Sequence, residues 1–228
     1  MSERLAILVP YRDRPDHLAE FVPVLHKYLT EEKIDFGIFI INQVDTCLFN
    51  RAKLLNVGFL ETHTDYTYSA YHDVDMLPKK PGAGYHYCSG ARQVHSPTTS
   101  SMGGISITSN DVNMSINGWS NNYWGWGGED RNYFHRLRHA DVKFDKSQGF
   151  RSWDWAKEHF RELKGYHEKS RKKFRDAQRV KTKHYKANPE LYKLDGLRNC
   201  FYKKTDFIEH DTHTILDVDL MCEEQHRL

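Results

Sequence analysis

The order of apolar segments in the first 75 residues constrains the fold of this chain most strongly. Residues 5–9 and 36–41 are short, continuous apolar runs of the kind found in buried parallel strands. Apolar residues recur at helical spacing over residues 18–29 and 54–60, and a third strand is predicted over residues 66–72. Strand, helix, strand, helix, strand predicts an α/β fold with a parallel sheet.

Three polar segments stand at or beyond the ends of these elements, at residues 10–14, 49–51 and 73–75. Ligands of open parallel sheets bind outside the carboxyl ends of the strands. We therefore expect the three segments to meet at one ligand site.

The rest of the chain is predicted more coarsely. Residues 77–100 are rich in Pro, Gly, Ser and His and are expected to be a surface excursion. A strand is predicted over residues 103–108, a helix over 129–138, and a closing strand over 214–220. The basic stretch after Trp155 is expected to be helical and mobile.

Charge is nearly balanced over the 228 residues, with a formal net charge of +2, so the whole molecule has no nucleic-acid footprint. Residues 157–186 are the exception, since they hold twelve Lys/Arg against four Asp/Glu. A solvated helical face is the simplest interpretation of this stretch. A patch for anionic ligands and a nucleic-acid surface are the alternatives.

Cysteine usage and hydropathy predict the compartment. The four cysteines are far apart and predict buried free thiols in a reducing environment, without a zinc site. No apolar run approaches the roughly 18 residues of a membrane span, and the first strand begins too early to leave room for a signal peptide. We therefore expect a soluble, cytoplasmic protein without a membrane span.

The segment Trp124-Gly-Trp-Gly-Gly-Glu-Asp130 predicts carbohydrate chemistry. Glycines let the backbone approach a ligand closely, and an indole offers a flat apolar face to a sugar ring. The two acids offer a general base and a hydrogen-bond acceptor for hydroxyls. Trp124 is expected in the core, and Trp126 is the better candidate for a sugar contact.

Asp73-Val-Asp75 is a second acidic pair, at the end of the third predicted strand. Its oxygens suit a divalent cation that bridges a diphosphate. On its own such a pair is as often a cap or a turn. Together with the Trp/Gly segment, it suggests sugar transfer from a nucleotide-sugar donor.

Four motifs resemble the β-1,4-galactosyltransferase family, glycosyltransferase family 7: residues 7–14, 49–59, 72–76 and 121–130. They occur in the family's order over roughly residues 4–220. The resemblance implies a single-domain α/β nucleotide-diphospho-sugar transferase fold of GT-A type, with a mixed, mostly parallel sheet flanked by helices. Residues 1–76 would bind the nucleotide, 77–150 would carry the acceptor side and catalytic loop, 151–186 would form a mobile basic lid, and 187–228 would close the domain.

The resemblance also assigns roles by position. Asp130 matches the catalytic base, with Glu129 beside it, while Asp75 and His159 match the metal ligands. Donor binding is implied for Pro10, Tyr11, Arg12, Arg14, Phe49, Asn50, Arg51, Asp73, Val74, Asp75, Ser101, Trp126, His159 and Arg161. Acceptor binding is implied for Trp126, Gly128, Glu129, Asp130, Arg131 and Arg171. His159 as a surface histidine and Arg171 as a solvated charge are the alternatives that the residues alone leave open.

Three departures from the family pattern bear on specificity. Ser101 stands where galactose users carry an aromatic residue, so N-acetylgalactosamine or another sugar becomes an alternative donor. Arg131 replaces an acidic residue and favours an acidic or phosphorylated acceptor. Ala156 replaces a methionine ligand, so Mg²⁺ is an alternative to Mn²⁺.

The resemblance implies an inverting, metal-dependent transfer of galactose from a UDP-sugar to a hydroxyl of a glycan, glycoprotein or glycolipid, in β-1,4 linkage. Such an enzyme belongs to carbohydrate biosynthesis and protein glycosylation. The segment 150–180 would close over the bound donor and expel water. The family's membrane anchor is not in the sequence, which favours a viral or bacterial source over the Golgi lumen unless the chain is a piece of a longer protein.

Two other classes of function compete with this hypothesis. Ala156 and Arg131 alter the site, which favours a weak or inactive relative that binds glycans or UDP. Residues 157–186 suggest nucleic-acid binding, but their place over the diphosphate site makes this the weakest alternative.

Overall fold

A computed structural model of the chain describes residues 3–96, 98, 100–145, 153–165 and 171–227. The side chains of residues 153 and 171–173 lie outside that description. The elements, in chain order, are β1 Arg4–Tyr11, α1 Pro15–Glu31, β2 Asp35–Gln43, α2 Arg51–Thr62, β3 Tyr68–His72, β4 Met76–Pro78, β5 Ala91–His95, β6 Ile105–Ser109, α3 Asn110–Ser115, α4 Glu129–His139, α5 Trp153–His159, β7 Phe160–Glu162, α6 Arg171–Ala187, β8 Lys203–Glu209 and β9 Thr214–Asp219.

The main sheet is mixed. Among the described residues it has seven strands in the order β5-β6-β3-β1-β2-β9-β8. The four central strands, β3, β1, β2 and β9, run parallel. β6 and β5 add antiparallel pairs at one edge, and β8 does so at the other. β4 and β7 pair separately in a small antiparallel ribbon.

The central strand β1 is buried on both faces, because helices cover both sides of the sheet. Leu5, Ile7 and Val9 face one core, where they pack with Phe21 and Leu25 of α1. Further residues of α1, β2 and β3 belong to the same core. Ala6 and Leu8 face the other core, which α2 and α4 cover. The continuous apolar run of β1 thus has the burial that its sequence predicts. The predicted fold class is confirmed.

Helix α1 shows how proline is accommodated. Pro15 is at the first turn, where a missing N–H costs nothing. Pro23 lies inside the helix, which continues to Glu31. The buried stripe is held by the residues predicted from helical spacing, among them Phe21, Leu25 and Leu29.

The expected surface excursion over residues 77–100 is wrong. This segment supplies β4 and β5, and all five residues of β5 are buried. Arg92 holds the segment together, since its guanidinium donates to the Gly84 carbonyl oxygen at 2.8 Å and pairs with Asp145. Loop-forming composition concealed a buried edge strand.

The expectation of four free thiols is also wrong. Cys47 and Cys222 form a disulfide, while Cys88 and Cys200 are buried free thiols. The two bonded residues are 175 positions apart, so spacing alone could not pair them. A disulfide does not fit the reducing compartment predicted above, and the cytoplasmic expectation therefore has no support.

In the part of the chain that the structure describes, no helix is both long enough and apolar enough to cross a membrane. The segments 97, 99, 146–152 and 166–170, on which part of the predicted mobile lid falls, lie outside the described residues.

Candidate functional site

A cavity of about 1210 Å³ opens at the carboxyl ends of the parallel strands. Segments from residues 10–14, 49–51 and 73–76 line one side of it, and residues 125–131 line the other. Helix α6 forms a further wall. The three polar segments predicted to meet at the sheet edge do meet there, together with the Trp/Gly segment.

The loop after β1 brings two arginines to the cavity. Arg12 donates to the Cys47 carbonyl oxygen at 2.7 Å and lies over the Phe49 ring, with 5.4 Å to its centroid. Arg14 donates to a carboxylate oxygen of Asp75 at 3.3 Å. Pro10 also lines the cavity, as predicted.

Tyr11 has a supporting place instead of a lining one. Its hydroxyl accepts a hydrogen bond from the backbone N–H of Arg14 at 3.1 Å, which fixes the loop. Asn50 is likewise structural, since its side chain caps α2 by accepting from the Lys53 N–H at 2.9 Å. The Asn50 amide also donates to the Asn121 carbonyl oxygen at 2.8 Å and so ties the start of α2 to the loop that leads into the Trp/Gly segment.

Asp73, Val74 and Asp75 line the cavity. The carboxylates of Asp73 and Asp75 share it with the carboxylate of Glu162 from β7. Burial, followed by repulsion from Asp73, raises the pKa of Asp75, and the Arg14 guanidinium opposes that rise. Negative charge is therefore concentrated at a point that water reaches poorly.

Arg51 connects the two acidic parts of the site. Its Nε donates to Asp73 Oδ1 at 2.6 Å, and its Nη1 lies 4.0 Å from Glu129 Oε1. Burial lowers the pKa of Arg51, but the two carboxylates raise it by more. The guanidinium, which also lies over the Trp119 ring, stays charged.

The glycines of the Trp/Gly segment are required by its backbone. Gly125, Gly127 and Gly128 have φ values of 81°, 95° and 94°, a region that strains any larger residue. A Cβ at Gly128 would lie 2.8 Å from Tyr123 and 3.0 Å from Thr182, so there is also no room for one. The segment can pass between the cavity and α6 only with glycine at this position.

The two tryptophans differ as predicted. Trp124 is 7% exposed and stacks on His226, so it belongs to the core. Trp126 is 39% exposed and lines the cavity.

Glu129 and Asp130 begin α4 and face the cavity. Burial, together with the neighbouring Asp130 carboxylate, raises the pKa of Glu129 to about 7, although Arg51 opposes the rise. The Asp130 side chain accepts from the Arg131 N–H at 2.7 Å and lies beside Gly103, whose added Cβ would be 3.1 Å from Oδ2. One acid is therefore neutral over part of the physiological range, and the other stands at a positive helix end.

The structure does not bring His159 into this cavity. The His159 ring stacks on Trp155, with 4.2 Å between centroids, and its Nδ1 lies 2.9 Å from the Trp155 carbonyl oxygen. Arg161 pairs with Glu20 on the outside of α1. Neither is among the residues that line the cavity.

Glu162 lines the cavity, and its charge contributes to the raised pKa of Asp75. The β4–β7 register sets Met76 opposite Glu162, and the Leu163 N–H donates to the Asp75 carbonyl oxygen at 2.7 Å. Carboxylate oxygens are the ligand type that suits a hard divalent cation. Within the described part of the chain, however, no three His, Cys, Asp or Glu side chains are grouped closely enough to hold one.

Four further residues from the sequence analysis remain to be placed. Ser101 is buried at the cavity, and its Oγ lies 2.7 Å from Ser96 Oγ. Arg131 lines the cavity with an exposed side chain. Arg171 begins α6, but its side chain is outside the described residues. Ala156 is buried in α5.

Sequence reasoning missed a buried ion pair that supports the Trp/Gly segment and α4. Arg136 of α4 and Asp195 are 3.4 Å apart, with side chains 0% and 6% exposed. Asp195 also accepts from the Asn121 N–H at 2.9 Å and from the Tyr185 hydroxyl at 2.7 Å. These bonds fix the start of the Trp/Gly segment and the end of α6 to α4. The charged identities were visible, but no local pattern indicated their burial.

A mixed α/β sheet with arginines, buried carboxylates and an indole at its carboxyl edge defines a nucleotide-diphospho-sugar transferase fold of GT-A type. Two family models match the chain: the N-terminal region of glycosyl transferase group 7 over residues 1–89, and the N-terminal domain of galactosyltransferase over residues 85–154. The chain belongs to this family, the β-1,4-galactosyltransferases of glycosyltransferase family 7.

Several relatives extend the comparison. The chain is 33% identical to mouse β-1,4-galactosyltransferase 1 (Mus musculus) over 228 residues, which cover 95% of the chain and 55% of that protein. It is 40% identical to mouse β-1,4-galactosyltransferase 7 over 154 residues, 64% of the chain and 47% of that protein. The chain thus spans about half the length of the curated relatives it matches.

Solved structures give the same fold. The catalytic domain of Drosophila β-1,4-galactosyltransferase 7 in complex with xylobiose matches with a TM-score of 0.78 and 31% identity, over 98% of this chain and 97% of that one. A mutant of the same enzyme in complex with manganese, UDP-Gal and xylobiose matches with a TM-score of 0.76 and 29% identity, over the same shares of the two chains.

Proposed function

We propose that the protein transfers galactose from UDP-galactose to a sugar hydroxyl, with inversion and in β-1,4 linkage, and with N-acetylgalactosamine as the alternative donor sugar. One observation carries the proposal: a single cavity holds arginines and buried carboxylates for a diphosphate on one side, and Trp126 with Asp130 for a sugar on the other. The relative that binds manganese, UDP-Gal and xylobiose supports the same substrates for this chain.

The donor would bind along the loop after β1. Arg12 and Arg14 offer planar donors that suit phosphate oxygens. Because Arg14 and Asp75 are 3.3 Å apart, a phosphate beside the arginine and a cation beside Asp75 would be adjacent. Phe49 offers a ring at the same end of the cavity.

A divalent cation fits the chemistry of this end of the cavity. Asp75 and Glu162 would hold it, since both are hard oxygen ligands in a partly dehydrated site. We propose Mn²⁺, with Mg²⁺ as the alternative because Ala156 offers no sulfur. His159 would join only after leaving its stack on Trp155. When bound, the ion would neutralise charge on the departing UDP.

Asp130 is the proposed base. The acceptor oxygen forms a bond to the anomeric carbon, the bond from that carbon to the UDP oxygen breaks, and the acceptor proton passes to the Asp130 carboxylate. Asp130 lies in the first turn of α4, the end of the helix that carries the positive pole of its dipole. Burial and the Asp130 carboxylate raise the pKa of Glu129 to about 7. Its ionised form would accept a hydrogen bond from a sugar hydroxyl, and its protonated form would donate one.

A weak or inactive relative that binds UDP or glycans remains the second candidate. It is favoured by the place of His159 outside the cavity and by Ala156 at a ligand position.

UDP release and galactose transfer measured with xylobiose and with N-acetylglucosamine separate the two candidates. The first proposal predicts turnover that requires Mn²⁺ or Mg²⁺ and is lost on Asp75→Asn. Lys203→Glu, on the far edge strand β8, serves as the control and should retain full turnover. A wild type that binds UDP normally but never releases it from UDP-galactose would leave only the binding module.

A further inference from the structure

A stripe of cations lies along the cavity wall formed by α6. Arg175, Arg179, Lys183 and Lys186 all line the cavity at spacings of three or four residues, which place them on one helical face. They span 11 residues, or roughly 16 Å of helix at 1.5 Å per residue. Arg131 of α4 adds a fifth cation to the same wall.

The stripe is held against the Trp/Gly segment. Gln178 and Thr182, which lie between the cations, are buried. Gln178 Nε2 donates to the Trp124 carbonyl oxygen at 2.8 Å, and Thr182 lies 3.0 Å from the Cβ position of Gly128. The cations are therefore next to the loop that carries Asp130, with the backbone of α6 fixed by these contacts.

Few acids oppose the stripe. Asp176 lies 3.8 Å from Arg175 and 4.0 Å from Arg179, but its side chain is 78% exposed and outside the cavity lining. Among the described residues, Lys183 and Lys186 take part in no ion pair within 4.0 Å. Exposed pairs such as those of Asp176 are weak and exchange readily with a ligand anion.

The cations also converge on one another. Burial, followed by the charges of Lys186 and Arg131, lowers the pKa of His135 between them. A wall that accumulates like charges around a half-buried ring is costly unless an anion balances it. Arg12 and Arg14 also line the cavity, on the loop after β1 and with Arg14 bonded to Asp75, so the donor phosphates would have cationic partners other than Arg131 and the cations of α6.

We propose that the acceptor glycan is anionic, and that a sulfate, phosphate or carboxylate on it binds to Arg131 and the α6 cations while its reacting hydroxyl lies at Asp130. The proposal rests on the proposed function, because it assigns the substrate class of the same site. Anion and hydroxyl would be recognised on the same side of the cavity, away from the nucleotide.

The test compares matched acceptors with the full chain. Xylobiose is neutral, and xylobiose carrying one glucuronic acid is the same acceptor with a carboxylate. A second pair is a nitrophenyl xyloside with and without a phosphate on the sugar. For at least one pair, we expect the KM of the anionic member to be roughly fivefold to tenfold lower than that of the neutral member at low salt. The ratio of the two KM values should approach one at about 0.5 M salt, because salt screens the charges.

Charge reversal locates the effect. Lys183→Glu should abolish the KM preference for the anionic member, while the same change at Lys203, on the exposed strand β8, should leave the preference intact. Retention of the preference in Lys183→Glu would overturn the proposal. So would a change in the KM of UDP-galactose alone, because that would assign the cations to the donor.

Failure of the proposed function has a different signature, namely no UDP release with any acceptor. In that case the same pairs are compared for direct binding in the presence of UDP, by calorimetry. A preference for the anionic member that Lys183→Glu removes supports the proposal, and equal binding of both members overturns it. Binding of a 20-nucleotide single-stranded RNA more tightly than either glycan, with a steep salt dependence, would also overturn it.

Discussion

Replacing Glu129 with Gln should change how the stability of the protein depends on pH. Burial and the Asp130 carboxylate raise the pKa of Glu129 from 4.5 to about 7. An acid whose folded pKa is raised contributes its full stability below its unfolded pKa, near 4.5, and that stability is lost as the pH rises toward 7. The wild type therefore loses this stability between about pH 4.5 and pH 7, whereas Gln at the same position does not titrate.

The size of the effect follows from the two pKa values. A rise from 4.5 to about 7 corresponds to about 3 kcal/mol, since one pKa unit is worth about 1.4 kcal/mol. Relative to the wild type, Glu129→Gln should therefore gain about 3 kcal/mol in the free energy of unfolding between pH 4 and pH 8. Most of the gain should occur between pH 4.5 and pH 7.

Urea unfolding of the variant and the wild type at a series of pH values measures this difference. Subtracting one free energy of unfolding from the other removes the contribution of titrating groups that do not interact with Glu129. Glu61→Gln is a control of opposite sign. Burial raises the pKa of Glu61, but hydrogen bonds from Lys204 and Tyr202 lower it by more. Glu61→Gln should therefore lose stability relative to the wild type as the pH rises. A flat difference for Glu129→Gln would refute the account of a dehydrated acid beside Asp130.

Two further predictions concern the support of the site. Arg136→Met should lower the free energy of unfolding by about 3–5 kcal/mol, because it leaves the buried Asp195 carboxylate without its cation. Urea unfolding measures the loss, and a loss below about 1 kcal/mol would contradict a buried ion pair. Gly128→Ala should cost about 1–3 kcal/mol in backbone strain, more with crowding by Tyr123, and should lower transfer activity. Gly82→Ala is its control, with a positive φ but open space, so equal melting temperatures for the two variants would reject the crowding argument.

The architecture could be predicted because its signals are local. Continuous apolar runs in β1 and β2, and helical spacing in α1 and α2, reflect burial on both faces of a parallel sheet. Ligands bind at the carboxyl ends of such strands, and this rule predicted that the segments holding Arg14 and Asp75 meet at one site. Of the two tryptophans, Trp124 was expected in the core, and the structure buries it there.

The rest depended on long-range packing. β5 was hidden by loop-forming residues, and the pairing of Cys47 with Cys222 depends on where the last strand brings the C-terminal segment. The Arg136–Asp195 pair joins residues far apart in sequence, so no spacing rule could indicate it. Glu162 lines the cavity together with Asp75, whereas His159 is not among the lining residues. Motif spacing identifies the segment that approaches the site, but not the residue within it that does so.

The central claim is that Asp130 acts as the base in a cavity that binds UDP-galactose. Asp130→Asn tests it most directly, with binding of UDP-galactose measured by calorimetry and transfer to the acceptor measured on the same preparation. We predict affinity for UDP-galactose within about threefold of the wild type, and transfer reduced by roughly 100-fold or more, the size expected for loss of a general base. Transfer at the wild-type rate by Asp130→Asn would contradict the account.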